Sequence, residues 1–241
     1  MNATLCATRS ASLAERPPGK LLIEKGSIVE ETSGRESGAI TETRLSHEMH
    51  RVATALLVDA VDRESVPVES LSVFRDFVVA NLRHHHETED AWLWPQILAA
   101  APETAQPLEE LSREHERLEA ALDRLAAAEV DERPTGRAAL RAAALEVRES
   151  VRLHLEHEEP VLFPALRDRI TPEQWDAFSR RVIASAPMVA GHLTIRLFEE
   201  VGTPEEVSSA LANLPEDLRR LIPAMSDQAA VELRVLRGID S

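Results

Sequence analysis

The segment His85-His86-Glu87-Thr88-Glu89-Asp90-Ala91-Trp92-Leu93-Trp94-Pro95 has a near copy in His154-Leu155-Glu156-His157-Glu158-Glu159-Pro160-Val161-Leu162-Phe163-Pro164. Both read H-x-x-x-E-[DE]-x-x-L-[WF]-P, an internal repeat of one structural unit. Residues four apart stand one above the other on a helix face, so each copy offers an imidazole and a carboxylate to the same inward point. The shared frame also selects among crowded histidines. It prefers His85 with Glu89 over His84 with Thr88 and over His86 with Asp90.

The chain around the repeat reads as helix. Ala, Leu, Glu and Arg dominate its middle, aromatic content is 3% and tyrosine is absent, a composition of strong helix formers. Helical patterning breaks near Ser65-Pro67, Ala101-Pro102 and Asp131-Gly136, which predicts four long helices at about 40–64, 69–100, 103–130 and 136–170. Helices this long joined by short turns make an all-α fold, an antiparallel up-down four-helix bundle over residues 39–170. Residues 1–38 hold four of the eight glycines and Pro17-Pro18, and are expected to form a flexible tail. Thr171-Pro-Glu-Gln and Thr203-Pro-Glu-Glu each combine an N-cap threonine, proline at the first helical position and a closing Gln or Glu. Residues 171–241 are therefore expected to be a helical extension that packs on the bundle through Trp175, Phe178, Ile183, Leu193, Leu197 and Phe198.

Eight of the nine histidines fall within the four bundle helices. At a rise of ~1.5 Å per residue, His50 and His85 both stand roughly 22 Å from the first turn, and His115 and His154 match that height to within ~3 Å. One transverse layer thus holds His50, His85, Glu89, His115, His154 and Glu158. Burying four imidazoles and two carboxylates is costly unless something neutralises and coordinates them. Two cations bridged by the glutamates would do both, and a nitrogen and oxygen donor set without thiolate suits iron, with manganese as the alternative. Glu119, four residues after His115, reads as a solvated residue, and His47, His84, His86 and His157 as supporting or surface residues. His192, with Met188 four residues earlier, lies outside the repeat and reads as packing. Pro95 and Pro164 each follow a metal glutamate by six residues, so a bend there would cap the layer with Trp94 and Phe163. Pro160, beside Glu159, is expected to bend or widen the fourth helix.

A net charge of −15 over 241 residues, with no basic cluster, argues against nucleic acid as a partner. The lone Cys6 permits neither an internal disulfide nor a cysteine-rich zinc site. No stretch is long and apolar enough to span a membrane or to act as a secretory signal, so a cytoplasmic location is expected.

With a histidine on helix 1, HxxxE on helix 2, a histidine on helix 3 and HxxxE on helix 4, residues 40–170 resemble the hemerythrin-like, or HHE cation-binding, family. The resemblance implies that His50, His85, Glu89, His115, His154 and Glu158 hold two non-haem iron ions, with Glu89 and Glu158 as bridges. The oxygen-carrying members that the chain resembles have a second histidine on helix 3, where Glu119 stands here, so reversible oxygen carriage does not follow. The expected function is to bind, sense or reduce a small ligand such as oxygen, nitric oxide or peroxide. The alternatives are a di-iron oxidase or oxygenase acting on an organic substrate, iron storage or buffering, and a helical interaction module without metal.

Overall fold

The computed structural model of the chain describes residues 37–131 and 134–239; the expected flexible tail lies outside them except for Ser37 and Gly38. Those two residues start the first helix. Ser37 caps α1 (Gly38–Val61) by accepting a hydrogen bond from the Ile40 backbone at 3.3 Å. Pro67, extended and without a donor, opens α2 (Val68–Thr88). A π-helical turn (Glu89–Leu93) carries α2 into α3 (Trp94–Ala100). Two longer helices follow, α4 (Ala105–Ala127) and α5 (Pro134–Arg169). The helix bounds expected from sequence are met to within a few residues, and no strand occurs among the described residues.

The π turn lies just ahead of Pro95, whose ring cannot donate to the preceding turn and clashes with it. The Trp94 backbone N–H reaches back to Glu89, and the additional residue brings Glu89, Leu93 and Trp94, all buried, to the inner side together. Helix α5 is not widened as expected: it runs as α-helix through Pro160 and Pro164. Glu156, Pro160 and Pro164 lie on its exposed side, where water can take the carbonyl groups that the prolines leave without a donor.

Helix α1 packs against α2 and α5, and α4 packs against the same two, which closes a ring of four helical segments. Its interior holds two apolar clusters. One joins Leu57, Phe74, Phe77, Leu122, Leu125, Leu140 and Val151, the other Ile40, Leu93, Trp94, Ile97, Leu111, Leu162 and Leu166. Along α1 and α4 the chain meets the second cluster first, and along α2 and α5 the first. Successive segments therefore run in opposite directions, and all four cross a layer of buried His and Glu between the clusters.

The rest of the chain folds onto this ring as α6 (Pro172–Ser185), α7 (His192–Val201), α8 (Pro204–Ala210), α9 (Glu216–Arg219) and α10 (Ile222–Leu236). Both predicted capping boxes form, at Thr171 with Gln174 and at Thr203 with Glu206. Helices α6, α7 and α8 contact α1, and α10 contacts α2 and α7. Leu193, Leu197, Leu233 and Leu236 enter the first cluster, and Trp175 and Phe178 the second. Gly202 is needed for a close approach: a Cβ there would meet Leu45 of α1 at 2.5 Å. Arg44 and Glu206 pair across the same seam. No helix among the described residues is long and apolar enough to cross a membrane.

A half-buried acid sits where α1 meets α6. Burial pushes the Glu42 carboxyl up to about 7; Trp175 and Ser179 hold it part of the way back, and Asp176 adds to the rise. A carboxyl that is harder to ionise in the folded state costs no stability below its ordinary pKa, costs progressively more as pH rises from that value to the folded one, and costs a constant amount above it. Glu42→Gln is therefore expected to stabilise the protein at pH 8 by about 1–2 kcal/mol, solvent access to the carboxyl being allowed for. Thermal denaturation at pH 8 and pH 5 should show the gain shrinking at the lower pH.

Candidate metal centre

Two groups of metal-ligating side chains meet in the polar layer. His47 of α1, His85 of α2, Glu89 of the π turn and Glu158 of α5 form one; His86 of α2, His115 of α4 and His154 of α5 form the other. Within each group one donor atom per residue lies within 4.8 Å of the rest. The two glutamates reach both groups. Glu89 has one oxygen 3.3 Å from His85 Nε2 and the other 3.7 Å from His115 Nε2. Glu158 Oε2 stands 3.2 Å from His154 Nε2 and 3.6 Å from His47 Nε2.

The distances follow the sequence repeat. In the first half, Glu89 touches His85 and His115, Asp90 Oδ2 is 2.9 Å from His115 Nδ1, and Trp94 stacks on His115 at 6.0 Å. In the second, Glu158 touches His154 and His47, Glu159 Oε1 is 3.1 Å from His47 Nδ1, and Phe163 stacks on His47 at 6.1 Å. His47 on α1 is thus the counterpart of His115 on α4. A third carboxylate, Glu114, stands 3.1 Å from His154 Nδ1 and 2.9 Å from Nδ1 of the exposed His157. A carboxylate at Nδ1 of His47, His115 and His154 favours the tautomer whose Nε2 faces the layer unprotonated, the arrangement that fixes a metal-binding histidine, and Nε2 of His115 and His154 stand 3.1 Å apart there.

Five of the six residues picked out by sequence enter the two groups. His50 does not: it is buried beside His85, ring centres 4.7 Å apart, but joins neither group. His47 and His86, expected to be supporting or surface residues, are 0% and 5% exposed and do join them. Residues 47 and 50 are one turn apart on the same face, so spacing alone does not separate them. The [DE] position of the repeat could have done so, because its two members each back one histidine. No such signal exists for His86, whose place in the second copy is taken by the core residue Leu155. Glu119 pairs with Arg83 at 2.6 Å, His84 with Ser185 at 2.8 Å and His192 with Glu232 at 2.8 Å, all outside both groups.

The electrostatics call for a cation. Burial, and then the neighbouring Glu158, push the Glu89 carboxyl well above its ordinary range. Burial acts on Glu158 too, but the neighbouring imidazoles of His47 and His154 outweigh it and hold that carboxyl down. Facing acids share one negative charge unless positive charge enters between them. Burial keeps His85 and His86 neutral and pushes His50 down to about 3. Nε2 of His47 and His85, Nδ1 of His86, Oε2 of Glu89 and both oxygens of Glu158 are buried without a hydrogen-bond partner. Groups left so cost roughly 1–3 kcal/mol each, a cost that coordination removes, and the donor set fits hard or borderline metal cations.

The carboxylates behind the histidines carry a measurable share of this. In Asp90→Asn, His115 loses the anion that orients it, while Ser112, which donates to Asp90 at 2.7 Å, keeps an acceptor. Metal affinity is expected to fall by about 10- to 100-fold with little change in the fold. Competition against a chromophoric chelator measures it.

Helices arranged in alternating directions around a layer of buried imidazoles and carboxylates define a cation-binding helical protein. A family model for the hemerythrin HHE cation binding domain matches residues 39–166, more than half of the chain and all of the layer. The chain belongs to the hemerythrin HHE cation-binding family. No curated protein and no solved structure matches it.

Proposed function

We propose that the chain is a non-haem di-iron protein, built as an up-down four-helix bundle, that binds, senses or reduces oxygen, nitric oxide or peroxide. The observation that carries the reading is the pair of adjacent donor groups sharing Glu89 and Glu158, with inward atoms lacking hydrogen-bond partners. His47, His85, Glu89 and Glu158 would hold one ion and His86, His115 and His154 the other, the glutamates bridging. Manganese would fit the same oxygen and nitrogen donors. When bound, the metals supply an open coordination position and the electrons for small-ligand chemistry. The protein's part is to orient the imidazoles through Asp90, Glu114 and Glu159, and to keep bulk water away with Trp94 and Phe163. A single cysteine and an iron site of this kind suit a reducing cytoplasm.

An oxidase acting on an organic substrate would need an apolar way in to the layer. The cleft that reaches His154, about 490 Å³ between α4 and α5, is lined by Glu114, Arg117, Arg124, Glu146 and His157. Leu118, Ala120 and Leu153 also line it, so its walls are mixed, and an apolar substrate has no wholly apolar way in through it. The same cleft favours exchangeable metal, and iron buffering is the second reading.

The test is metal analysis of protein reconstituted anaerobically with ferrous iron, followed by optical spectra after oxygen, peroxide or nitric oxide. Two irons per chain and a new charge-transfer band, both lost in His85→Ala, are expected. Two irons with no spectral response to any of the three ligands would favour buffering. Failure to bind iron or manganese would overturn the di-metal reading.

A further inference from the structure

We propose that His50 is the hydrogen-bond partner of the small ligand held at the centre, and that it does not hold metal. The inference rests on the di-iron reading above. His50 is 2% exposed, and neither Nδ1 nor Nε2 makes a well-formed hydrogen bond, although the Asn81 amide stands close enough to favour its charged form. His47, His115 and His154 each have a carboxylate at Nδ1; His50, like His85 and His86, has none, and unlike those two it joins neither donor group. With no carboxylate to fix its tautomer, either of its nitrogens can carry the proton.

Packing does not account for a histidine here. The twofold relation that pairs His47 with His115 pairs His50 with Leu118, three residues further on in each helix, and Leu118 is 1% exposed in the apolar core. The chain thus fills the equivalent place with a hydrocarbon side chain. A buried imidazole without a well-formed hydrogen bond is a costly substitute, roughly 1–3 kcal/mol worse than a satisfied group. What His50 has instead is a position beside the centre: its ring is 4.7 Å from that of His85, and it follows His47 by less than one turn. A neutral imidazole carries one N–H donor and one acceptor. Its N–H suits a small ligand that carries negative charge on the atom facing away from the metal, as azide does.

The experiment compares wild type, His50→Leu, His50→Gln and His47→Leu after iron reconstitution and oxidation. Iron per chain, azide affinity by optical titration and the azide stretching frequency are measured. His50→Leu is expected to retain two irons, bind azide about 5- to 10-fold more weakly and shift the stretch. His50→Gln, which keeps an N–H, should recover much of both. His47→Leu should lose iron, and the metal-free His50→Leu protein should melt above metal-free wild type. Loss of iron in both His50 variants would make His50 a ligand and overturn the proposal. Retained iron with unchanged azide affinity and frequency would overturn it as well. Should His50→Leu fail to fold, His50→Ala, which likewise lacks an N–H, takes its place with the same supporting and overturning outcomes. A wild type that takes up no metal pair brings down the di-iron reading instead.

Discussion

Glu158→Ala protein, reconstituted with ferrous iron, is expected to hold at most one tightly bound metal per chain where wild type holds two. Glu158 is fully buried, its oxygens have no hydrogen-bond partner, and one of them lies between His154 and His47. Its removal takes a donor from the His47 group and the carboxylate that links it to His154. The same change acts differently on the metal-free fold. Glu158 there meets the imidazoles of His47 and His154, and its removal also relieves the repulsion that raises the Glu89 carboxyl, so metal-free Glu158→Ala should melt close to metal-free wild type. Thermal melts with and without iron separate the two effects. Metal at about 100 times its dissociation constant stabilises the wild type by about 2.7 kcal/mol, and that rise should be largely absent from the variant. Two tightly held irons in Glu158→Ala would show that Glu158 is no bridge.

Removing residues 171–241 is expected to abolish cooperative folding, although the family match ends at residue 166. Leu193, Leu197, Leu233 and Leu236 are between 0% and 2% exposed and share one cluster with Met49, Leu57 and Phe77. At roughly 1.5–3 kcal/mol for each buried side chain, these four represent a stabilisation comparable with the entire ~5–15 kcal/mol of a typical domain. Their loss would also uncover α1, which α6, α7 and α8 contact on one side. Circular dichroism should show helix without a sharp thermal transition. The milder Leu197→Ala, a cavity at a fully buried site, should cost about 2–5 kcal/mol and leave iron stoichiometry unchanged. A truncated chain that melts as sharply as the full protein would reduce the extension to an accessory.

Much of the fold was legible because helix signals are local. Proline and threonine at helix starts, glycine-poor stretches between breaks and the two capping boxes each depend on a few consecutive residues, and the observed bounds follow them. The π turn was not legible in the same way. Pro95, Pro160 and Pro164 look alike in sequence, yet only the segment before Pro95 takes the wider turn. That outcome depends on drawing Glu89, Leu93 and Trp94 to one inner side.

For the centre, the repeated segment by itself determined that His85 with Glu89 and His154 with Glu158 face a common layer, because a four-residue spacing is a property of any helix. It could not determine how far α1 is rotated about its own axis. His47 and His50 share a face, and which of them meets Glu158 is decided by the packing of α1 against α5 on one side and α6, α7 and α8 on the other. That rotation sets His47 between Glu158 and Glu159, and leaves His50 beside His85 without a well-formed hydrogen bond. His86 likewise gains its place only when α4 and α5 bring His115 and His154 to it. Local spacing specifies the direction of a side chain on its helix, whereas the meeting of side chains from four helices depends on long-range burial that no short stretch of sequence contains.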